Sequence, residues 1–308
     1  MSITKASIAF ALVFTAFGMV NTANAAINGG AADVSFYRPD TGVWYSRSFK
    51  EPGAFRAVRI GSAADVPVPG DYDGDGYVDE AVWQPAEGIW LINRSSDGKQ
   101  VSITSLKAGK DAVPVPGDYD GDGTTDIAVW EPATGEWKIM LSSNTAINAR
   151  PMVINFGRKG DVPVQEDYDG DGKADLAVFR PSENRWHIRE SGSGKTVTEV
   201  FGFAGQDLLV PGDYTGDGKA DIAVFRNGNW LLINSSTKKQ ERFDFGFVDS
   251  IPAPADYDGD GTLDFAVYRR GMWYIQGSKG PEFIGFEFGG TDDIPIGSLR
   301  AKPSFVAV

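Results

Sequence analysis

The chain has 308 residues, with 42 acidic against 29 basic side chains for a formal charge of −13, one histidine and no cysteine. Acidity without lysine or arginine clusters excludes nucleic acid and anionic membrane surfaces as partners. The absence of cysteine excludes a disulfide framework and a lipid-carrying cysteine, and leaves zinc and copper without their preferred nitrogen and sulfur ligands.

In chain order, the first segment, "MSITKASIAFALVFTAFGMVNTANA", carries Lys5, an apolar run from Ile8 to Val20 and the small-residue pattern Ala23-Asn24-Ala25. This is the pattern of a secretory signal peptide cut after Ala25, with a run too short for a membrane anchor. The mature chain, 26–308, is therefore expected to be a single exported domain, secreted, periplasmic or at the cell surface, without membrane insertion.

The stretch "ADVSFYRPDTGVWYSRS" (32–48) reads as the second and third strands of a unit whose first strand is missing. Five complete units follow, and the first aspartates of their loops, Asp71, Asp118, Asp167, Asp213 and Asp256, fall 47, 49, 46 and 43 residues apart. Each unit has an extended "VPVPGDY" (strand A), an aspartate loop, an apolar "DxAVF/W" run (strand B), a Pro/Gly turn, a "GxW" strand (C) and a last strand (D) ending in Phe-Gly. Short runs of β-branched and aromatic residues between Gly, Pro and Asp turns predict strands, and no segment of the mature chain has a helical apolar period. The fold class is all-β.

The chain ends in "IPIGSLRAKPSFVAV" (294–308), which matches strand A. A chain that starts without strand A and finishes with it closes a ring, so the expectation is a β-propeller of six four-stranded blades closed by the C-terminal strand. Taking "SFVAV" as the start of a further blade gives seven instead. The eight tryptophans all fall on repeat positions: Trp44, Trp90, Trp137, Trp186, Trp230 and Trp273 on strand C, Trp83 and Trp130 at the end of strand B. They are expected to fill the space between neighbouring sheets.

The loops carry the densest chemistry. "DYDGDGYVD" places Asp71, Asp73 and Asp75 at alternate positions 1, 3 and 5, the carbonyl of Tyr77 at position 7 and Asp79 at position 9. Alternate carboxylates on a tight loop converge on one centre, as the early positions of an EF-hand do, and calcium takes six to eight such oxygens. Gly74 and Gly76 let the chain curl round an ion. The same places are held by Asp118, Asp120, Asp122, Thr124 and Asp126; by Asp167, Asp169, Asp171, Lys173 and Asp175; and by Asp256, Asp258, Asp260, Thr262 and Asp264. A fifth loop has Asp213, Thr215, Asp217, Lys219 and Asp221, where the neutral Thr215 predicts weaker binding. In the terminal unit Ser298, Arg300 and Lys302 stand in place of aspartates, and no cation is expected there. An EF-hand proper is excluded, because the twelfth-position glutamate is missing and the flanks are strands. Magnesium keeps more waters and needs fewer carboxylates, which favours calcium.

The repeated "PVPGDYDGDGxxDxAVF…GxW…FG" resembles the FG-GAP or VCBS-type repeats of integrin α-chain propellers, certain fungal lectins and many exported bacterial proteins, over nearly all of residues 31–300. The resemblance implies a ring of blades whose aspartate loops join the first two strands and bind calcium, with function varying among members.

Carboxylates repeated in every blade point to a structural duty, because a catalytic site is singular. His187, in "RWHIR", is turned away from the side of Trp186 by strand alternation and is expected at the surface; no nucleophile, phosphate-loop or cofactor motif accompanies it. Arg38, Arg180, Arg226, Arg269 and Arg270 follow strand B, in a row with Gln84 and Glu131, and form either solvated blade ends or a polar ligand face. Two functions remain: a calcium-binding, non-catalytic module for a glycan or an extracellular protein, or a polysaccharide-degrading enzyme such as a lyase on the same repeats. The near-constant unit length, without a long insertion to house a unique acid or base, favours the binder.

Overall fold

The computed structural model describes residues 31–48, 54–104, 106–144, 150–279, 283–299 and 306–307; the leader segment, Arg300 and Lys302 lie outside them. Among the described residues there are only strands, and no helix long and apolar enough to cross a membrane.

Blade 1 holds β1 (Asp33–Arg38), β2 (Val43–Arg47) and β3 (Ala54–Arg59). Blade 2 is β4 (Val66–Pro67), β5 (Glu80–Gln84), β6 (Ile89–Asn93) and β7 (Gln100–Ile103). Blade 3 is β8 (Val113–Pro114), β9 (Ile127–Glu131), β10 (Glu136–Met140) and β11 (Met152–Asn155). Blade 4 is β12 (Val162–Pro163), β13 (Leu176–Arg180), β14 (Arg185–Arg189) and β15 (Thr196–Val200). Blade 5 is β16 (Leu208–Leu209), β17 (Ile222–Arg226), β18 (Asn229–Ile233) and β19 (Gln240–Asp244). Blade 6 is β20 (Ile251–Pro252), β21 (Phe265–Arg269), β22 (Met272–Gln276) and β23 (Phe283–Glu287). β24 (Ile294–Leu299) then pairs antiparallel with β1 and supplies the missing first strand of blade 1. The architecture is a six-bladed propeller closed by its C-terminal strand.

The seven-blade alternative is corrected by the last residues. β25 (Val306–Ala307) pairs with Phe55 and Ala54 of β3, so it is a fifth strand on the outer edge of blade 1 and starts no new sheet.

In blades 2 to 6 strand A is only two residues long, followed by an isolated bridge such as Gly70↔Asp79. In blade 2, Pro67 and Pro69 have no N–H to give, and Val68 between them donates to the Ala81 carbonyl at 2.8 Å. Strand B is buried on both faces because it lies between two neighbouring blades, whereas the outermost strand of blade 4, β15, is exposed along its whole length.

The core is a set of six apolar clusters, each joining two adjacent blades, including Trp273 of blade 6 with Val34 of blade 1, and Trp44 of blade 1 with Val82 of blade 2. Every seam of the ring is therefore filled. All eight tryptophans are less than 2% exposed, and each strand-C tryptophan faces the aromatic at the end of strand B, for example Phe179 opposite Trp186 with ring centroids 5.6 Å apart. In blades 3 to 6 the terminal Phe-Gly completes the packing: the Phe156, Phe201, Phe245 and Phe288 carbonyls accept the Nε1–H of Trp137, Trp186, Trp230 and Trp273 at 2.8–3.1 Å. The following glycine takes a positive φ, and at Gly157 (φ 94°) a Cβ would lie 3.1 Å from Val178 of the next blade.

Candidate metal centre

All five aspartate loops share one hydrogen-bond plan. The position-1 carboxylate turns inward: Asp71 accepts the N–H of Gly74 at 2.7 Å on Oδ1 and that of Gly76 at 2.8 Å on Oδ2. Asp118, Asp167, Asp213 and Asp256 accept the corresponding pair of glycine N–H groups at 2.6 and 2.8 Å. Those glycines carry the expected positive φ, 73° at Gly74 and 82° at Gly76. The position-2 tyrosine is tied to strand A, as when the Tyr119 hydroxyl donates to the Val115 carbonyl at 2.7 Å.

Position 9 anchors the loop to the far end of strand C. Asp79 is fully buried and accepts the Tyr72 N–H at 2.8 Å and the Ser95 N–H at 2.6 Å. Ser95 Oγ donates in turn to Asp75, position 5, at 2.8 Å. Ser142, Ser191, Ser235 and Ser278 repeat this double link to Asp126 and Asp122, Asp175 and Asp171, Asp221 and Asp217, and Asp264 and Asp260. These serines were missed by sequence reasoning; the signal for them is a serine 14 or 16 residues after each position-9 aspartate.

Among the described residues, three carboxylates converge in four loops, offering ligand oxygens all within 4.8 Å of one another: Asp71, Asp73 and Asp79; Asp118, Asp120 and Asp122; Asp167, Asp169 and Asp175; Asp256, Asp258 and Asp260. Positions 1 and 3 belong to every group, with position 5 or 9 as the third member. The loop with Thr215 forms no such group. At position 7, the N–H groups of Tyr77, Thr124, Lys173, Lys219 and Thr262 donate to the position-5 carboxylate at 2.8–3.0 Å.

The electrostatics suit a cation. Burial pushes the position-9 carboxyls up to about 7 for Asp79, Asp175 and Asp264 and about 6 for Asp126 and Asp221. In the first four the neighbouring position-3 aspartate adds to the rise, and in Asp221 the position-1 carboxylate does. Asp71 and Asp167 are likewise raised, first by burial. Asp120 Oδ1 is enclosed with no hydrogen-bond partner. An all-oxygen set of like charges, partly withdrawn from water, fits a hard divalent cation.

The loops also touch one another across the seams. The Asp71 carbonyl accepts the Thr125 N–H of the next blade at 2.6 Å, and Asp118–Ala174, Asp167–Ala220 and Asp213–Leu263 repeat the bond at 2.6–2.8 Å. The Asp256 carbonyl accepts the Ala32 N–H at 2.7 Å, carrying the series into blade 1.

The other sequence candidates separate from these loops. The arginine row is a set of staples within blades: Arg38 pairs with Asp293, Arg180 with Asp161, Arg226 with Asp207, and both Arg269 and Arg270 with Asp249. Gln84 donates to Asp65 in the same manner at 3.0 Å, and Glu131 instead accepts from Lys138 and the Gly109 N–H, both at 2.8 Å. Each aspartate named here precedes strand A of the same blade, so the row closes the ends of blades. His187 lies opposite Trp186 as strand alternation requires, but it is half-buried where a surface position was expected. Its Nε2 is enclosed without a partner, and burial, aided by Arg180, holds its pKa below the ordinary value.

The FG-GAP-like repeat family profile matches residues 71–129, 167–224 and 213–267, which together exceed half of the chain. The chain belongs to the FG-GAP-like repeat family. No curated protein matches it. Among solved structures, this FG-GAP-like chain is similar to a lectin of Agrocybe aegerita that recognises non-reducing terminal N-acetylglucosamine (14% identity, 84% of this chain, 90% of that chain, TM-score 0.57). It is also similar to a chain of a nidogen/laminin complex (11%, 87% and 97%, 0.56) and to virginiamycin B lyase of Staphylococcus aureus with quinupristin (11%, 88% and 89%, 0.52). At these identities the likeness concerns the fold alone, and the FG-GAP-like propeller is seen to share its frame with binding proteins and with an enzyme.

Proposed function

We propose that this protein is an exported, calcium-stabilised propeller, residues 26–308 after removal of the leader, acting as a non-catalytic binding module for a glycan or an extracellular protein. The observation that carries this reading is the recurrence of one loop plan in five blades, with positions 1 and 9 committed to main-chain N–H groups and three carboxylates converging in four of the loops. Aspartates held in that way stabilise a loop and gather a cation. They do not form the single asymmetric acid/base pair that glycoside cleavage uses.

Calcium would be held by the carboxylates at positions 1, 3, 5 and 9 with the position-7 carbonyl, in four strong sites and a weaker fifth at Asp213–Asp221. Bound there, it supplies charge neutralisation: without it, like charges crowd each loop. The pairing of the arginine row with aspartates leaves specificity to surfaces where the blades differ.

A glycan array probed with and without calcium, run beside a lyase assay on acidic polysaccharides, tests the reading. Calcium-dependent array binding without turnover is expected. Turnover without array binding overturns the binding module in favour of the lyase.

A further inference from the structure

Adjacent loops are joined at the residues that would hold the ions. Position 8, the donor of each seam bond, lies between position 7, whose carbonyl is a proposed ligand, and position 9, whose carboxylate is another. The acceptor is the carbonyl of position 1 in the preceding loop, a residue whose carboxylate is the first ligand of its own site. One main-chain hydrogen bond of 2.6–2.8 Å thus connects the first ligand of one site to the seventh and ninth of the next.

A second contact reinforces the first. The position-7 side chain lies on the position-4 glycine of the preceding loop. A Cβ at Gly74 would stand 3.0 Å from Thr124 Oγ1, at Gly121 3.1 Å from Lys173 Cγ, at Gly170 2.9 Å from Lys219 Cγ and at Gly216 2.6 Å from Thr262 Oγ1. Lys219 reaches further and donates its Nζ to the Asp169 carbonyl at 2.7 Å, inside the loop of blade 4. A loop that tightens round an ion therefore moves atoms that its neighbour leans on.

Resting on the calcium reading above, the geometry points to cooperative loading: a cation in one loop raises the affinity of the loops in the adjacent blades, in a series running from blade 2 to blade 6. The physical cause is shared ordering. An ion that fixes position 1 also fixes the acceptor for position 8 of the next loop, so the ordering needed for the second ion is already partly met. The effect is reciprocal, so each site acts on both of its neighbours.

The test uses the chelator-stripped mature chain, labelled with 15N and titrated with calcium. The readouts are the amide resonances of the position-6 glycines Gly76, Gly123, Gly172, Gly218 and Gly261, each bonded to its own position-1 carboxylate. Asp169→Thr weakens the blade 4 site by copying the residue that blade 5 already has. The midpoints at Gly123 and Gly218 should rise about fivefold or more, a usual size for coupling between sites, with smaller changes at Gly76 and Gly261. Thr215→Asp retains every native carboxylate and strengthens blade 5; it should lower the midpoints at Gly172 and Gly261. Unchanged neighbours, or shifts of the opposite sign from repulsion between bound ions, overturn the coupling while leaving calcium binding intact. If no glycine amide of the native chain responds to millimolar calcium, the calcium reading fails and the coupling with it.

Discussion

Blades 4 and 5 are neighbours that build the same loop from different carboxylates. Asp167 and Asp213 cap their glycine N–H groups at the same 2.6 and 2.8 Å, and Asp175 and Asp221 each accept a serine N–H at 2.7 Å. The seam bonds onward are 2.7 Å from Asp167 and 2.8 Å from Asp213. Position 3 differs. Asp169 joins a group of three converging carboxylates, whereas the Thr215 hydroxyl makes only 3.5 Å contacts to Asp213 and Asp221. Positions 1 and 9 therefore make the loop, and under the proposed calcium reading position 3 sets how strongly it would attract an ion.

The largest expected effect tests the first half of that division. Asp167→Ala and Asp213→Ala each remove the two short charge-assisted hydrogen bonds from the loop glycines, at about 1.5–3 kcal/mol apiece, together with longer ones from neighbouring N–H groups, and should destabilise the chain by similar amounts in chelator. Urea unfolding measures both, and a mild Asp213→Ala beside a severe Asp167→Ala would break the equivalence of the two blades. A smaller effect tests the second half. In calcium, Asp169→Thr should lower the melting temperature and Thr215→Asp raise it, by about 2–4 °C for each kcal/mol, with little change from Asp169→Thr in chelator. A shift of equal size without calcium would make position 3 a builder of the loop as well.

A further effect is on pH. Asp175 and Asp221 have folded values of about 7 and about 6, above the ordinary 3.8. Below about 4 such a carboxyl is protonated whether the chain is folded or unfolded, and above its folded value it is charged in both states and buried at a penalty. The metal-free fold should therefore lose stability as pH rises from about 4 to about 7, and gain it on acidification from pH 8 to 5. Calcium should stabilise most at the alkaline end, where protons do not compete for the carboxylates. Melts in chelator and in calcium across this range check the sign; a metal-free fold that weakens on acidification would contradict it.

Much of the propeller was legible because its cause is local. Asp-Gly loops, strand-length apolar runs and a tryptophan on every strand C recur in each unit, and the fragment "IPIGSL" supplies what the N-terminal unit lacks. The parts that were not legible depend on partners distant in the chain. Ser191 meets Asp175 only because strands B and C form a hairpin, and Arg180 finds Asp161 only when strand A pairs with strand B. The seam bond from Ala32 to Asp256 joins residues near opposite ends of the chain, and alanine carries no signal of such a contact. The stub "SFVAV" had the pattern of a strand without any indication of which sheet it would join, so the seven-blade alternative remained open until Val306 paired with Phe55.

The central claim is that these loops hold calcium, and a direct count tests it. Equilibrium dialysis of the chelator-stripped mature chain against calcium, with the bound metal quantified, should give four tightly held ions for each chain and a fifth at higher concentration. No bound calcium at millimolar concentration, or five ions of equal affinity, would contradict the account.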